Sequence, residues 1–450
     1  MNRTCLFLTL PLILLSSLYL GAEEYALRVG WLVDGTGAPA RTHTVLLVRN
    51  GRILALAAEV PSHWKSPVLD FSADTAIPGL VDAHGHIVAI GLGEEADERL
   101  VNRSNQQEWV LRNARVALAS GITTLRDPGT YPWTLGLRKQ IEQTGPRWIT
   151  AGQQLVKRAP NAYMSEMFME FDGPEEARAK VRELHRQGAE FIKLRFTKQR
   201  PMPTLEEARA VVAEAHRLGL KVAVHTDVPD DDAVRLALAA GADSLEHDAA
   251  LRLKNPEAVW RQLADRGIVV VPGMGSWQAR LDCLSTPAEE LIEEPLRSKL
   301  APELRSALVQ RGQELCEQIK GWMKDGWYPV ERRKEYLRQT LRLHAAGVLL
   351  ATGPDTGVDM MPHGRLYKDA YWYAEAGLPI QEVVRIATLN GARAAGCDHE
   401  VGSLEPGKRA DVVVLRGSLL DDYRRLKDVV MVIRGGQVVF DASRCSGKPE

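Results

Sequence analysis

Two histidines separated by a glycine, His84 and His86, are the first residues of the chain whose types and spacing indicate chemistry. They follow an apolar run that ends near Asp82, which predicts a strand. Side chains at positions i and i+2 of an extended segment project to the same side, so both imidazoles can bind one metal ion. Such pairs also arise by chance in polar loops, so this motif indicates a metal site only together with further ligands.

Three more residues with metal-binding side chains, His225, His247 and Asp355, each stand at the end of a short apolar run. Each has a structural alternative, namely a core histidine for either imidazole and a helix N-cap for Asp355. In parallel α/β architectures, however, catalytic groups collect at the carboxyl ends of strands. Chance rarely places all of these residues at strand ends in this order, so the set favours a metal centre.

Lys193 lies within the apolar run 191–194, where an unpaired ammonium group is costly to bury. The structural alternative is an ion pair with a neighbouring carboxylate. As a fifth polar group at a strand end, Lys193 is included among the candidate site residues.

The middle of the chain alternates short apolar strands with amphipathic helices, which is typical of a parallel α/β architecture. A helix is predicted over 205–218, with Glu206, Glu207, Arg209 and Arg217 on its outer face. The pattern predicts a (β/α)8 barrel of the TIM type over residues 78–399. The segment 274–346 is too long for a simple connection and is predicted to be a helical insertion. Strand ends are predicted at 80–82, 123–125, 148–150, 191–193, 222–224, 244–246, 269–271 and 348–350.

Both terminal regions have a sequence pattern that is typical of β-strands. Short apolar runs in 23–77 alternate with turn signals, among which Asn50-Gly51 is a strong hairpin turn. The same pattern returns over 400–442. We therefore expect one small composite β-sandwich domain formed by both terminal segments.

The composition limits the classes of partner. Hydrophobic residues make up 45% and charged residues 26% of the 450 residues, as in soluble globular proteins, and the formal net charge is -1. A chain without basic excess lacks the electrostatic attraction that nucleic acid binding requires. A small-molecule substrate is therefore expected, and the sequence leaves open whether the protein forms a homo-oligomer.

The order of these motifs resembles the amidohydrolase superfamily, and their spacing is similar to its imidazolonepropionase-like branch, which includes metal-dependent dipeptidases. The resemblance covers nearly the whole chain after residue 22. The segments that carry it are 76–86, 119–127, 241–247, 387–392 and 401–411.

The resemblance implies a metal-dependent hydrolase that attacks its substrate with a metal-bound hydroxide. It implies that His84, His86 and Asp355 bind one divalent ion, with zinc as the default metal, and that His225 and His247 bind a second. Lys193, carboxylated by carbon dioxide, would bridge the two ions, and Asp355 would also act as the general acid and base. In one-metal members of the branch the corresponding lysine is not carboxylated.

The expected substrate is a small amide, either a dipeptide or an N-acyl amino acid. Two alternatives remain, namely a hydrolase of cyclic amides, lactones or other esters with the same centre, and a non-catalytic binding protein. Four residues near predicted loops, Arg126, Tyr163, Arg195 and His363, are candidate substrate contacts. Either arginine could hold a substrate carboxylate through two hydrogen bonds.

The cysteines that follow the N-terminal region are widely spaced and form no CxxC pair, which argues against a cysteine metal site. An oxidising compartment would permit Cys397 to pair with Cys445. We expect buried free thiols instead, since a protein with a large core does not need disulfides.

The apolar run from Cys5 to Leu20, flanked by Arg3 and by Gly21-Ala22, predicts a secretory signal peptide over residues 1–22. The alternative is an uncleaved anchor, but the run is short for a membrane span of about 20 residues. No later apolar stretch has this length. We therefore expect a periplasmic or secreted protein without a stable membrane span after the signal is removed.

We predict that the protein isolated from its native cell begins near Glu23, because the apolar run suits translocation rather than core packing. N-terminal sequencing of the chain from fractionated cells measures this directly. Recovery of the full-length chain in the cytoplasm would contradict export.

Overall fold

A computed structural model describes residues 24–91, 104–159, 165–196, 201–226, 231–284, 286, 302–324, 332–358 and 360–444. The predicted signal peptide, Tyr163 and Cys445 lie outside these ranges.

The strands are Glu24–Leu32 (β1), Arg41–Arg49 (β2), Arg52–Ala57 (β3), Val68–Pro78 (β4), Leu80–Asp82 (β5), Ile122–Asp127 (β6), Arg147–Thr150 (β7), Gln154–Val156 (β8), Phe168–Glu170 (β9), Phe191–Phe196 (β10), Lys221–Thr226 (β11), Ser244–Glu246 (β12), Val269–Val271 (β13), Leu349–Leu350 (β14), Val412–Leu415 (β15), Val429–Arg434 (β16) and Gln437–Asp441 (β17).

The α-helices are Gln106–Ala119 (α1), Arg138–Thr144 (α2), Pro174–Gln187 (α3), Leu205–Arg217 (α4), Asp231–Ala240 (α5), Glu257–Asp265 (α6), Met274–Asp282 (α7), Pro302–Lys324 (α8), Arg332–Ala345 (α9), Leu366–Glu375 (α10), Ile380–Arg385 (α11) and Gly391–Ala395 (α12).

Strands from both terminal regions form one sheet of order β17-β16-β15-β4-β1-β2-β3. The two regions meet where β4 pairs with β15 in antiparallel register, with Ile77 opposite Val413. The predicted turn Asn50-Gly51 joins β2 to β3 with φ angles of 51° and 74°, which confirms the hairpin. Apolar residues of both regions share one core, so neither terminal region buries its apolar face alone.

The predicted strands of the central region are confirmed, and the pairings among them are parallel. They form a three-stranded sheet, β5-β6-β7, and a seven-stranded sheet of order β14-β13-β12-β11-β10-β8-β9. Their burial on both faces explains the runs of valine, isoleucine and leucine in the sequence. The strands β8 and β9 are absent from the predicted set, because they are only three residues long and lack a clear apolar run.

Backbone hydrogen bonds connect the two parallel sheets. The nitrogen of Glu190 donates to the oxygen of Thr150 at 2.9 Å, which joins β7 to the chain entering β10. The nitrogen of Ala83 donates to the oxygen of Thr352 at 3.0 Å, which joins β5 to the chain leaving β14. The carboxyl ends of β5 and β14 are therefore held side by side.

The helix predicted over 205–218 is present as α4, but Glu207 is not on its outer face. Its carboxylate accepts hydrogen bonds from Thr204 N at 2.8 Å and Gly173 N at 2.8 Å, and it pairs with Lys157 Nζ at 2.6 Å. Glu207 completes a capping box with Thr204, which turns its side chain back over the helix start and buries it.

The segment between β13 and β14 contains the helices α7, α8 and α9. Cys283, just after α7, forms a disulfide with Cys316 of α8. The expectation of free thiols is therefore wrong for this pair. Their sequence separation of 33 gave no indication of pairing, since only the folded chain brings their Cα atoms to 5.2 Å. Cys397 is a free, partly buried thiol.

Within the described ranges, no helix combines the length and the apolar character that a membrane span requires.

Candidate metal centre

The histidine pair lies just beyond the carboxyl end of β5, against the chain that follows β14. The nitrogen of His86 donates to Thr356 O at 2.7 Å, and the nitrogen of Thr356 donates to His84 O at 3.2 Å. Gly353 allows this close contact, because a Cβ atom there would lie 2.7 Å from the nitrogen of His84. These contacts place Asp355 beside both imidazoles.

The side chain of Asp355 faces three of the predicted histidine ligands. Its Oδ1 atom lies 3.5 Å from His84 Nε2 and 3.3 Å from His86 Nε2, and its Oδ2 atom lies 4.0 Å from His247 Nδ1. Two ligands of a tetrahedral zinc ion, each about 2.1 Å from the metal, are separated by about 3.3 Å. The distances from Asp355 Oδ1 to the Nε2 atoms of His84 and His86 therefore fit one shared ion.

The outer nitrogens of the pair are occupied by acceptors. His84 Nδ1 lies 2.7 Å from Glu246 Oε2, and His86 Nδ1 lies 2.8 Å from Gly129 O. Both acceptors require a proton on Nδ1, which leaves the Nε2 lone pairs facing Asp355. Fixing of the outer nitrogen by a carboxylate or a carbonyl is characteristic of metal-binding histidines.

His247 and His225 extend the cluster on the side of β11 and β12. The ring centroid of His247 is 4.8 Å from that of His84 and 4.1 Å from that of His225. Of the residues described, His84, His247 and Asp355 can bring one donor atom each within 4.8 Å of one another. His225 lies opposite Arg195 in the register of β10 and β11, and its Nε2 atom is 3.3 Å from Arg195 Nη2.

Two of the candidate ligands have backbone conformations that non-glycine residues rarely adopt. The φ angle is 71° at His247 and 61° at Asp355. Left-handed conformations of this kind cost about 1–3 kcal/mol each and cluster at functional sites. The nitrogen of His247 donates to Val271 O at 2.8 Å, which helps to hold the strained residue.

Lys193 is almost fully buried, at 1% exposure, on β10. Among the described residues, its Nζ atom has no hydrogen-bond partner. Burial lowers the pKa of Lys193 to about 7, although the Glu246 carboxylate opposes this shift. Among the described residues, Lys193 therefore does not form the ion pair with a carboxylate that the structural alternative requires.

Burial and mutual charge keep the histidines largely neutral and Asp355 ionised. Burial, followed by the charge of Lys193, lowers the pKa of His84 to about 4. Burial also lowers the pKa values of His225 and His247 well below the usual range. Burial raises the pKa of Asp355, but the imidazoles outweigh this and hold it well below its usual range. Neutral imidazoles and an ionised carboxylate are the protonation states that bind metals.

His86 is the exception to this pattern. Burial lowers its pKa, but the carboxylates of Asp355 and Asp127 outweigh burial, so the net shift is upward. A positive charge between His86 Nε2 and Asp355 is thus favourable, and a proton or a metal cation can supply it. The buried Oδ1 atom of Asp355 has no hydrogen bond of good geometry within the described part of the chain. These donors fit a divalent cation.

The predicted substrate contacts have different positions. Arg126 is fully buried, and its guanidinium donates to Glu246, Ser244 and Ala83, so the predicted contact with substrate is contradicted. Its side chain does not lie in a loop but is buried against Ser244 and Glu246 of β12. His363 is also buried, and its Nε2 atom donates to His86 O at 3.1 Å and to Ala89 O at 3.2 Å. It supports the loop behind His86.

Arg195 remains near the centre and is partly exposed. Besides its contact with His225, its Nη1 atom donates to Gln154 Oε1 at 3.4 Å, and its guanidinium lies 5.5 Å from the ring of Phe168. Both hydrogen bonds are long for a charged donor. Its predicted contact with substrate stays a prediction.

Four buried acidic residues around the centre were missed by the sequence analysis. Asp82 accepts hydrogen bonds from His84 N at 3.1 Å and Thr356 Oγ1 at 2.7 Å, and Asp127 accepts one from Ile87 N at 3.2 Å. The signal was visible, since Asp82, Asp127 and Glu246 each end a strand. Asp369 of α10 accepts from Gly353 N and Gly275 N.

Comparison with known proteins indicates the same family as the sequence motifs. A model of the amidohydrolase family matches residues 75–439. The imidazolonepropionase of Picrophilus torridus is 39% identical over 54 residues, which is 12% of this chain and 13% of that protein. The chain therefore matches a small part of that relative's length.

Solved structures match over most of the chain. A Xaa-Pro dipeptidase with bound methionine in its active site aligns with a TM-score of 0.70 at 24% identity, covering 93% of this chain and 100% of that chain. The A. niger ochratoxinase aligns with a TM-score of 0.69 at 21% identity, covering 93% and 96%. At these identities the structural matches show a shared fold.

We predict that alanine at His84, His86, His225, His247 or Asp355 lowers bound metal while the fold is retained. The metal affinity should fall by more than the roughly 10- to 100-fold typical of losing an outer-shell partner. Metal analysis after dialysis and far-ultraviolet circular dichroism provide the measurements. The exposed His185 of α3 supplies the control, His185→Ala, which should retain full metal content. Wild-type metal content and turnover in two or more of the five variants would refute the assignment.

Proposed function

The chain belongs to the amidohydrolase family, as its motifs predict, and from this we propose that it is a metal-dependent hydrolase of a small amide. The substrate class we propose is a dipeptide or an N-acyl amino acid. The observation that carries the proposal is the convergence of His84 Nε2 and His86 Nε2 on Asp355 Oδ1, with both outer nitrogens held by acceptors.

We propose that His84, His86 and Asp355 hold one divalent ion and that His225 and His247 hold a second. The pairing of His225 with His247 at 4.1 Å between ring centroids supports the division. Zinc is the default for imidazole and carboxylate ligands of this kind, while manganese, iron and cobalt share the same ligand chemistry.

Two neighbouring divalent ions require a negatively charged ligand between them, and we propose that carboxylated Lys193 is this ligand. Four neutral imidazoles and one carboxylate leave two divalent ions with excess positive charge, which a lysine carbamate would reduce. Its buried Nζ atom, without a hydrogen-bond partner among the described residues, supports this assignment. An unmodified ammonium would be repelled by the ions.

When bound, the metal ions would lower the pKa of a coordinated water and polarise the scissile carbonyl. The protein's own contribution falls to Asp355, which is ionised and 18% exposed and can accept a proton from attacking water. The same carboxyl group can then deliver that proton to the leaving nitrogen. The Nδ1–H groups of His84 and His86 donate hydrogen bonds to Glu246 and to the carbonyl of Gly129 throughout, so both rings stay in place.

Arg195 is the residue that we propose for recognition of a substrate carboxylate. It stands beside His225 at the end of β10, and its guanidinium can present two parallel donors to a carboxylate. Its hydrogen bonds to His225 and Gln154 are 3.3 and 3.4 Å long, which is longer than a charged contact to a carboxylate. A carboxylate on the leaving part of the substrate matches the proposed dipeptide class.

We also propose that the two parallel sheets close into one (β/α)8 barrel. The bonds Glu190 N to Thr150 O and Ala83 N to Thr352 O support closure, since each connects strands from different sheets. A closed barrel would explain why residues distant in sequence meet at one end. Export is proposed on the basis of the N-terminal apolar run, and the disulfide between Cys283 and Cys316 accords with an oxidising compartment.

The function is tested by metal analysis combined with a substrate library of dipeptides, N-acyl amino acids, cyclic amides and lactones. We expect stoichiometric metal, and amide hydrolysis that chelation abolishes and added metal restores. The variant Arg195→Gln should raise KM for a substrate with a free carboxylate by about 10- to 100-fold, the size of a lost charged hydrogen bond. The matched control is the methyl ester of the same substrate, whose KM should not change.

Different outcomes of this screen separate the alternatives. Preferred turnover of lactones or cyclic amides would support the alternative substrate class with the same centre. Tight binding of a library member without turnover in the metal-loaded protein would support a binding protein and refute the enzyme.

We predict that Lys193→Ala reduces metal content towards one ion per chain and depresses turnover, because the anionic bridge is lost. Short carboxylic acids in solution should partly restore activity. Lys193→Arg is the matched control, and the acids should not restore its activity, because the guanidinium retains positive charge in the site. One metal ion at full activity in the wild type, with an unmodified lysine, would refute the two-metal mechanism. The better assignment would then be a single ion on His84, His86, His225 and Asp355.

A further inference from the structure

A buried chain of hydrogen bonds reaches His84 from the side opposite Asp355. Arg126 Nη1 donates to Glu246 Oε1 at 2.9 Å, and Glu246 Oε2 accepts from His84 Nδ1 at 2.7 Å. Arg126 and Glu246 are fully buried. A carboxylate in such a place is stable only when it is paired and hydrogen-bonded.

Ser244 completes the geometry of this chain. Its hydroxyl donates to Glu246 Oε1 at 2.7 Å and accepts from Arg126 Nη2 at 2.9 Å. Arg126 Nη1 also donates to Ala83 O at 2.9 Å, on the residue before His84. The guanidinium therefore fixes both the carboxylate and the backbone of the histidine loop.

Glu246 also occupies a central place among the strands. It precedes His247 directly, and in the register of β11 and β12 it lies opposite His225. Its backbone oxygen accepts from Thr226 Oγ1 at 2.8 Å. One residue thus contacts His84 through its side chain and the His225 and His247 segments through its backbone.

The two histidines of the pair are held differently. The outer nitrogen of His86 donates its hydrogen bond to a carbonyl, that of Gly129 at 2.8 Å, and lies 3.7 Å from Asp127 Oδ1. The outer nitrogen of His84 donates its hydrogen bond directly to a carboxylate at 2.7 Å. A hydrogen bond from Nδ1 to a carboxylate raises the basicity of the ligating nitrogen and fixes the ring more strongly. The direct carboxylate contact therefore fixes the ring and the tautomer of His84 more strongly than the carbonyl fixes those of His86.

We propose that Glu246 is a positioning residue that sets the tautomer and ligand strength of His84, and that Arg126 and Ser244 hold Glu246 in place. The inference rests on the proposed function, since it concerns the affinity of that centre for metal. It makes the ring of His84 depend on a buried carboxylate and the ring of His86 on a backbone carbonyl.

The test measures metal affinity by competition between the apoprotein and a chromogenic zinc chelator, without use of activity. Glu246→Gln keeps the size of the side chain but loses the charge. We expect zinc affinity to fall by about 10- to 100-fold, as is typical when an outer-shell partner is lost. Ser244→Ala keeps the carboxylate and removes one of its hydrogen bonds, so a smaller fall in affinity is expected.

Glu207→Gln is the matched control. Glu207 is also a buried glutamate paired with a cation, Lys157, but its contacts lie at the start of α4 and not at the histidine cluster. Its substitution should lower the thermal unfolding midpoint of the apoprotein and leave zinc affinity unchanged. A purely structural role for Glu246 would produce this same pattern in Glu246→Gln.

The outcomes are distinguishable. Equal zinc affinity in wild type, Glu246→Gln and Ser244→Ala overturns the positioning role and leaves the proposed function intact. A wild-type apoprotein that takes up no divalent metal overturns the proposed function and this inference together. If Glu246→Gln does not fold, Ser244→Ala decides, and wild-type affinity in that variant counts against the proposal.

Discussion

The centre depends on the orientation of two imidazoles towards one carboxylate. Glu246 and Gly129 accept hydrogen bonds from the protonated Nδ1 atoms of His84 and His86. Both Nε2 lone pairs therefore face Asp355 Oδ1, which lies 3.5 Å from His84 Nε2 and 3.3 Å from His86 Nε2. Lone pairs that face a carboxylate in a buried site are unfavourable unless positive charge lies between them. The arrangement is therefore stable only when a cation lies between these atoms. The surrounding structure maintains the arrangement because it fixes the outer nitrogens of both rings.

The sequence was sufficient to predict that the candidate ligands lie close together, because their positions follow from a simple rule about strand ends. Apolar runs identified the strands, and the polar residue after each run identified His84, His225, His247 and Asp355. Parallel strands bring such residues to one edge whatever their separation along the chain. Prediction of the site therefore needed the strand pattern and not the detailed packing of the helices.

Other features were beyond prediction because they depend on which strands are neighbours and which way a side chain points. Arg126 and Asp127 are adjacent at the end of β6, yet Arg126 reaches Ser244 and Glu246 of β12, more than a hundred residues away. The sequence showed a charge near a mouth and could not show that the charge has a buried partner. The disulfide between Cys283 and Cys316 was missed for a similar reason, since the two cysteines are 33 positions apart in sequence and only the folded chain brings their Cα atoms to 5.2 Å.

The carboxylate of Asp369, on α10, links the chain before Asp355 to the start of α7. Asp369 accepts from Gly353 N at 2.8 Å, just before Asp355, and from Gly275 N at 2.7 Å, in the first turn of α7. The left-handed conformation at Asp355 needs such an anchor, since strained residues persist only where their surroundings fix them.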